Sequence, residues 1–192
     1  MKSNQFPIEV SARHIHLSKE DFFVLCGEDA VMTEVKPLSQ PGQFQSNIRL
    51  EIVGPKRTLV NVSVLGPFRK QTQIEISLTD ARSIGVNAPI RESGDLNFSA
   101  PIILRGPKGE ITLNEGTIIA KRHIHMTEKD AKNLDVKNGD IVKVLIDTPE
   151  RRTILDDVVV RVSDSYALAM HIDTDEGNAV NLVQNVYGEI IK

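Results

Sequence analysis

The chain reads as a mainly β protein, built as two small β-barrels with short capping helices. Three observations predict this. Short runs of alternating apolar residues recur between Gly/Pro turns, and no long segment of helical period occurs. The word Arg-His-Ile-His occurs twice, at 13–16 and 122–125. Its copies sit in SARHIHLSKED and AKRHIHMTEKD, each followed by a Ser or Thr (Ser18, Thr127) and an Asp (Asp21, Asp130). Four of the five histidines are spent on these words, so they read as paired halves of one site, one per barrel.

The elements follow in order. Pro7 to Ala12 form a short strand, with Ile8 and Val10 alternating, that feeds into His14 and His16. In an extended segment residues two apart share a face, so an HxH word aims both imidazoles one way. Ser18 reads as a helix N-cap, with an acidic first turn and Gly27 as the stop. A stretch with Pro37, Pro41 and Gly42 follows, a hairpin-like insertion or ordered loop. Ile48, Leu50 and Ile52 alternate, Gly54-Pro55-Lys56 turns, and Leu59 to Val64 returns as a hairpin. Thr72 to Leu78 reads as a strand with Ile74, Ile76 and Leu78 on one face and Gln73, Glu75 and Ser77 on the other. Thr79-Asp80 then caps a helical turn ending at Gly85.

A second hairpin turns at Gly106-Pro107-Lys108, repeating the GPK word. The second copy of the site word repeats the first plan: a strand over 118–120, HIH, Thr127 as cap, and a short helix near Glu128 to Leu134. Later strands are Ile141 to Ile146, Thr153 to Val162 and Ala167 to Ile172. Asp175 to Gln184 suits a short terminal helix.

Composition bounds the function. Within 192 residues, 40 % are apolar and 26 % charged, as in a soluble globular protein. The net charge of -3 and 4 % aromatics argue against a nonspecific nucleic-acid binder. A single cysteine, Cys26, excludes an intramolecular disulfide and fits a reducing compartment. No apolar run approaches the roughly 20 residues of a membrane span, and the N-terminus lacks the apolar core of a signal peptide.

Imidazoles at same-face spacing suit a metal, zinc before iron by ligand type. A lone histidine is more often a satisfied core or surface residue; four in a duplicated word point to ligation. The fifth, His171, ends an apolar strand and opens HIDTDE. Arg69 follows a Gly-Pro turn and could anchor phosphate or carboxylate, although a surface ion pair is the commoner fate of such an Arg and of Glu75. Arg13 and Arg122 could line the site or brace the barrels. Cys26, in VLCG, has no His beside it and reads as a small buried hydrophobe. No GxSxG elbow, P-loop or Rossmann fingerprint occurs.

The combination of VSARHIHLS, LGPFRKQTQIEISLTDARSIG, IIAKRHIHMTEKDA and MHIDTDEGNA resembles the PduL-type phosphotransacylase family (phosphate propanoyltransferases), from about residue 8 to residue 179. The resemblance implies two discontinuous barrels, 1–12 plus 121–192 and 13–120, with an insertion at about 27–47 and a metal site between the barrels. It implies interconversion of a short-chain acyl-CoA (propanoyl-CoA or acetyl-CoA) plus phosphate with acyl phosphate plus CoA, by direct attack of metal-bound phosphate on the thioester. It implies two zinc ions, one held by His14, His16 and Glu75 and the other by His123, His125 and His171. Arg69 would grip the phosphate, and Ser11, Lys36, Leu65 and Asn178 would contact CoA. A homodimer is implied, with no nucleic-acid or membrane partner. Family members housed in bacterial microcompartments often carry an N-terminal encapsulation helix. Only about seven residues precede the first strand here, which suggests a free cytoplasmic enzyme.

Two other readings stand beside this one. A two-metal hydrolase of phosphate esters or amides would use the same histidines, but such enzymes usually employ more Asp and bridging carboxylates. A non-catalytic zinc-binding module would be expected to be richer in Cys.

Overall fold

A computed structural model describes residues 4–191. In chain order the elements are β1 (Gln5–Val10), β2 (His14–His16), α1 (Lys19–Cys26), β3 (Glu34–Pro37), β4 (Phe44–Val53), β5 (Thr58–Gly66), β6 (Gln73–Glu75), α2 (Leu78–Ile84) and β7 (Ile90–Arg91). There follow β8 (Ala100–Arg105), β9 (Glu110–Ala120), β10 (His123–Met126), α3 (Glu128–Leu134), β11 (Ile141–Ile146), β12 (Thr153–Val162), β13 (Ala169–Ile172), α4 (Thr174–Ala179) and β14 (Tyr187–Ile191).

The chain divides into two compact units. The first holds the described residues up to Ser11, a three-residue piece Ser39–Pro41, and the chain from Lys121. Its strands close a barrel in the order β1-β13-β10-β12-β11-β14. Inside lie Phe6, Ile8, Ile124, Met126, Val144, Ile146, Val158, Val160, Met170 and Ile172. The second unit holds Ala12–Leu38 and Gly42–Ala120. Its ring is β9-β6-β2-β5-β4-β8, closed by pairing of β8 with both β4 and β9. Its core includes Ile15, Leu17, Leu50, Ile52, Val62, Val64, Ile74, Ile102 and Leu104.

The two rings have one topology. The HIH strand of each runs parallel to one neighbour (β2 to β5, β10 to β12) and antiparallel to the other (β2 to β6, β10 to β13). The second of these neighbours in turn runs parallel to a further strand (β6 to β9, β13 to β1). All four of these short strand segments end alike. Ser18, Ser77, Thr127 and Asp173 each stand two residues beyond His16, Glu75, His125 and His171, and each accepts a backbone N–H three residues on as a helix N-cap. Four capped helices therefore fix where four strands stop.

The repeated GPK turn also has a structural reason. Lys56 donates its backbone N–H to Ile84 O (2.9 Å), and Lys108 donates its own to Leu25 O (3.0 Å). Each turn thus satisfies a carbonyl left open at the C-terminal end of a helix. The preceding glycines let the backbones approach: a Cβ on Gly54 would meet Ile84 O at 2.5 Å, and one on Gly106 would meet Leu25 O at 2.3 Å.

Three expectations are corrected. The strand over Thr72 to Leu78 stops at Glu75, because Ser77 caps α2. Leu78 is therefore 41 % exposed rather than in the Ile74 and Ile76 row, and Ser77 replaces Thr79-Asp80 as the cap. The terminal helix ends at Ala179 rather than Gln184, with Asn181 at a φ of 50° soon after. In the stretch read as a hairpin-like insertion or ordered loop, β3 pairs with the start of β4 as a hairpin, so that reading stands. The last strand, β14, was not expected from its polar flanks. It closes the first barrel between β1 and β11, with Gly188 packed on Phe6, Ile8 and Val144. Among the described residues no helix is long and apolar enough to cross a membrane.

Replacing Gly106 by Ala forces a methyl against the Leu25 carbonyl and should cost about 1–3 kcal/mol by overpacking. Denaturant unfolding of the variant checks this; an unchanged midpoint would show that the turn can move away from the helix end.

Candidate metal centres

Residue period places the histidines. Ile15 and Ile124 are fully buried in the two barrel cores, so their neighbours His14 and His16, and His123 and His125, face the opposite side of their strands. Register supplies the third donor. His14 stands opposite Glu75, and His123 stands opposite His171. The structure therefore gathers two donor sets, His14–His16–Glu75 and His123–His125–His171, each with ligand atoms within 4.8 Å of one another.

In the first set, His14 Nδ1 meets the Ala12 carbonyl at 2.9 Å. That bond places the proton on Nδ1 and turns the Nε2 lone pair toward His16 Nε2, 3.1 Å away. Glu75 Oε2 lies 3.6 Å from His14 Nε2. Its other oxygen, Oε1, accepts from Gln73 Nε2 (2.5 Å) and from Ser93 Oγ (2.7 Å). The carboxylate is thus held by one oxygen, with the other turned to the histidines. Ser93 Oγ also accepts from Gln73 Nε2 (2.9 Å) and from Arg69 Nη1 (3.3 Å), and the Gly94 N–H donates to Gln73 Oε1. A surface ion pair is the commoner fate of a glutamate on a strand, but Glu75 is buried, as are Gln73 and Ser77. Gln73, Glu75 and Ser77 are 1 %, 8 % and 4 % exposed; this network satisfies the first two, and Ser77 caps α2.

In the second set, His123 Nδ1 meets the Lys121 carbonyl at 2.8 Å, as His14 meets Ala12. His125 packs against the Tyr166 ring with centroids 4.2 Å apart. His171 Nε2 lies 3.2 Å from Glu9 Oε2. The Nδ1 atoms of both His125 and His171 are buried without a hydrogen-bond partner.

Burial pushes the His16 pKa well below its ordinary value, aided by the charges of His14 and Arg69. Burial likewise lowers His125 to about 2, with His123, His171 and Arg161 adding to the shift. Neutral rings with buried lone pairs are the form a metal requires. A tetrahedral ion about 2.0–2.1 Å from each nitrogen would set its donors a little over about 3 Å apart, and His14 Nε2 and His16 Nε2 fit that spacing. One set offers a carboxylate and two imidazoles, the other three imidazoles. Both leave a coordination position open, as catalytic zinc sites do.

The other expected residues divide. Arg69 is placed beside the first triad by the bond to Ser93 and by its effect on His16. Arg13 and Arg122 brace. Arg13 pairs with Asp80 in the first turn of α2, and Arg122 Nε pairs with Glu176 Oε1 in the first turn of α4 at 2.9 Å. Lys36 and Leu65 both stand opposite Gln45, and Leu65 stands opposite His16, so one row of the second barrel runs from Lys36 to the triad. Ser11 and Asn178 lie in the first unit, Ser11 donating its N–H to Ile172 O and Asn178 exposed on α4. Cys26 is buried with its thiol pKa raised by desolvation, which keeps it protonated and inert. Gln73, Ser93, Tyr166 and Glu9 were not singled out from the sequence. In RESGD, Ser93 stands in a loop without periodicity, and only the turn signal Ser-Gly marks it.

Clustered imidazoles, a held carboxylate and an arginine, with the lone thiol buried, mark out a class: a protein with two histidine-rich donor sets. Comparison with known proteins makes it particular. The family model for phosphate propanoyltransferase matches residues 7–183. A phosphate propanoyltransferase of Alkaliphilus metalliredigens is 52 % identical over 188 residues, covering 98 % of this chain and 88 % of that protein. One from Thermotoga maritima is 52 % identical, covering 91 % and 83 %, and one from Listeria monocytogenes is 48 % identical, covering 96 % and 86 %. The chain belongs to the phosphate propanoyltransferase family and is an acyltransferase of the phosphotransacylase type.

Unfolded histidines titrate near 6.5, whereas folded His125 holds out to about 2. Across that window the unfolded chain binds more protons, so stability falls as pH falls. The unfolding free energy of metal-free protein should be highest above about pH 6.5 and decline toward acid. A flat profile from about pH 7.5 to about pH 5 would contradict the burial of neutral rings.

Proposed function

We propose that the chain interconverts propanoyl-CoA or acetyl-CoA plus phosphate with the acyl phosphate plus CoA by direct transfer, without an acyl-enzyme. The observation that carries this is the bonded run from Arg69 through Ser93 to Glu75, whose other oxygen faces His14. It sets a cationic fork beside a metal donor set, an arrangement suited to an oxyanion that bears several charges.

Zinc held by His14, His16 and Glu75, and by His123, His125 and His171, would supply Lewis-acid neutralisation of phosphate and of the developing oxyanion when bound. Arg69 grips phosphate through its guanidinium and turns one oxygen toward the thioester carbonyl. Ser93 holds Arg69 and Glu75 in register. A phosphate oxygen then forms the bond to the acyl carbon, the carbon–sulfur bond breaks, and CoA departs as thiolate. Ser11, Lys36, Leu65 and Asn178 are proposed contacts for CoA. The row from Lys36 through Gln45 and Leu65 to His16 supports two of them, because it offers a path from a cationic end to the triad. Acetyl and propanoyl groups differ by one methylene, worth only about 1–3 kcal/mol in an apolar pocket.

The test follows CoA release from an acyl-CoA series with phosphate, on protein of measured metal content. Arg69→Ala should lower kcat/KM for phosphate by roughly 10²–10³-fold with metal content unchanged. An unchanged dependence on phosphate would remove Arg69 from the role. Supplying acetyl phosphate and CoA should build thioester absorbance; hydrolysis without thioester would favour the two-metal hydrolase instead. Cys26→Ala should keep its activity, since the buried thiol takes no part. A folded but inactive Cys26→Ala protein would overturn direct transfer.

A further inference from the structure

We propose that Glu9 is the positioning residue of the all-histidine set: its carboxylate accepts the Nε2–H of His171, which leaves Nδ1 of that ring as the metal-ligating atom. This rests on the reading of His123, His125 and His171 as a metal site.

The geometry is specific. Glu9 Oε2 lies 3.2 Å from His171 Nε2, while His171 Nδ1 is buried with no hydrogen-bond partner. A carboxylate is acceptor-only when ionised, so the pair fixes the proton on Nε2 and the lone pair on Nδ1. Glu9 stands outside the group of residues whose ligand atoms lie within 4.8 Å of one another, so it acts on the ring rather than joining the donor set.

Register explains why the contact exists. In β1 and β13, which run parallel, Glu9 is the residue opposite His171. Glu9 is itself anchored. Ser39 Oγ donates to the same oxygen, Oε2. The next residue, Gln40, is 4 % exposed and bonds the Ala167 backbone twice, donating to its carbonyl at 3.0 Å and accepting its N–H at 3.2 Å. This accounts for the three-residue piece Ser39–Pro41 that belongs to the first unit although its flanks belong to the second. It carries the hydroxyl that completes the Glu9 carboxylate.

The duplicated topology supplies an internal control. The strand running parallel to β6 is β9, and the residue there opposite Glu75 is Ile118, fully buried and apolar. The set that already contains a carboxylate thus has an isoleucine behind it. The set made only of imidazoles has a glutamate behind it. Each ion would meet one acidic group, directly in one barrel and through a histidine in the other. A carboxylate behind a ligating histidine raises the ring's basicity and fixes its orientation.

The experiment measures zinc retention against a chromophoric chelator in a His14→Ala background, so that only the all-histidine set reports. Glu9→Ala should weaken zinc binding by roughly 10–100-fold, and Glu9→Gln, which keeps an acceptor without the charge, should fall between it and the parent. Nitrogen NMR of the metal-free protein should place the His171 ring proton on Nε2. Thermal melting of the same metal-free variants separates loss of metal from loss of fold. If His171→Ala loses zinc while Glu9→Ala matches its parent, the positioning role is overturned and the metal set stands. A ring proton on Nδ1 of His171 also overturns it. If His171→Ala retains zinc unchanged, the donor set fails and the role of Glu9 with it.

Discussion

The alternation of a β-strand is the constraint on which everything else depends. In each HIH word the isoleucine must enter a barrel core, and Ile15 and Ile124 are fully buried there. Both histidines are thereby driven to the opposite face, side by side. A one-residue slip would exchange them, putting two imidazoles into an apolar core and an isoleucine into the site. The energetic cost of that exchange enforces the register, and register then brings Glu75 opposite His14 and His171 opposite His123. The sites are a consequence of packing as much as of ligand choice.

The same constraint was solved twice with one topology and different chemistry. Caps at Ser18, Ser77, Thr127 and Asp173 stop all four donor-bearing strands at equivalent places. Arg13 and Arg122, which precede the two words, pair with first-turn acids of α2 and α4. These braces belong to the frame. The differences lie where chemistry is done. Glu75 against His171, Ser93 and Arg69 against Tyr166, and Ile118 against Glu9 give one set a carboxylate near an arginine and the other three imidazoles.

Much of this was legible in the residues. The HIH words, their Ser and Thr caps, and two barrels follow from repetition and period. The GPK repeat was visible too, although its reason was not. Turn chemistry shows that a turn forms, and only the folded chain shows that its glycine and N–H meet a helix end. The polar row left Glu75 ambiguous because alternation marks a face without saying whether solvent or a site lies against it. Leu78 misled because a local Ser77 cap outweighs an apolar pattern. Glu9 had no sequence signal at all: its partner lies 162 residues away, and a lone glutamate on a strand edge reads as solvated. Family motifs promoted Glu75 and His171 from ambiguous residues to expected ligands, and the register then placed each opposite a histidine.

The central claim is that each triad holds one divalent ion through residues of its own barrel. Its most direct test is elemental analysis of purified wild-type protein, His14→Ala and His123→Ala, each exchanged into zinc and freed of excess. The account predicts about two, one and one ions per chain for sets of three protein ligands each. Equal metal content in all three proteins would contradict it, as would loss of both ions from either single substitution with the fold intact.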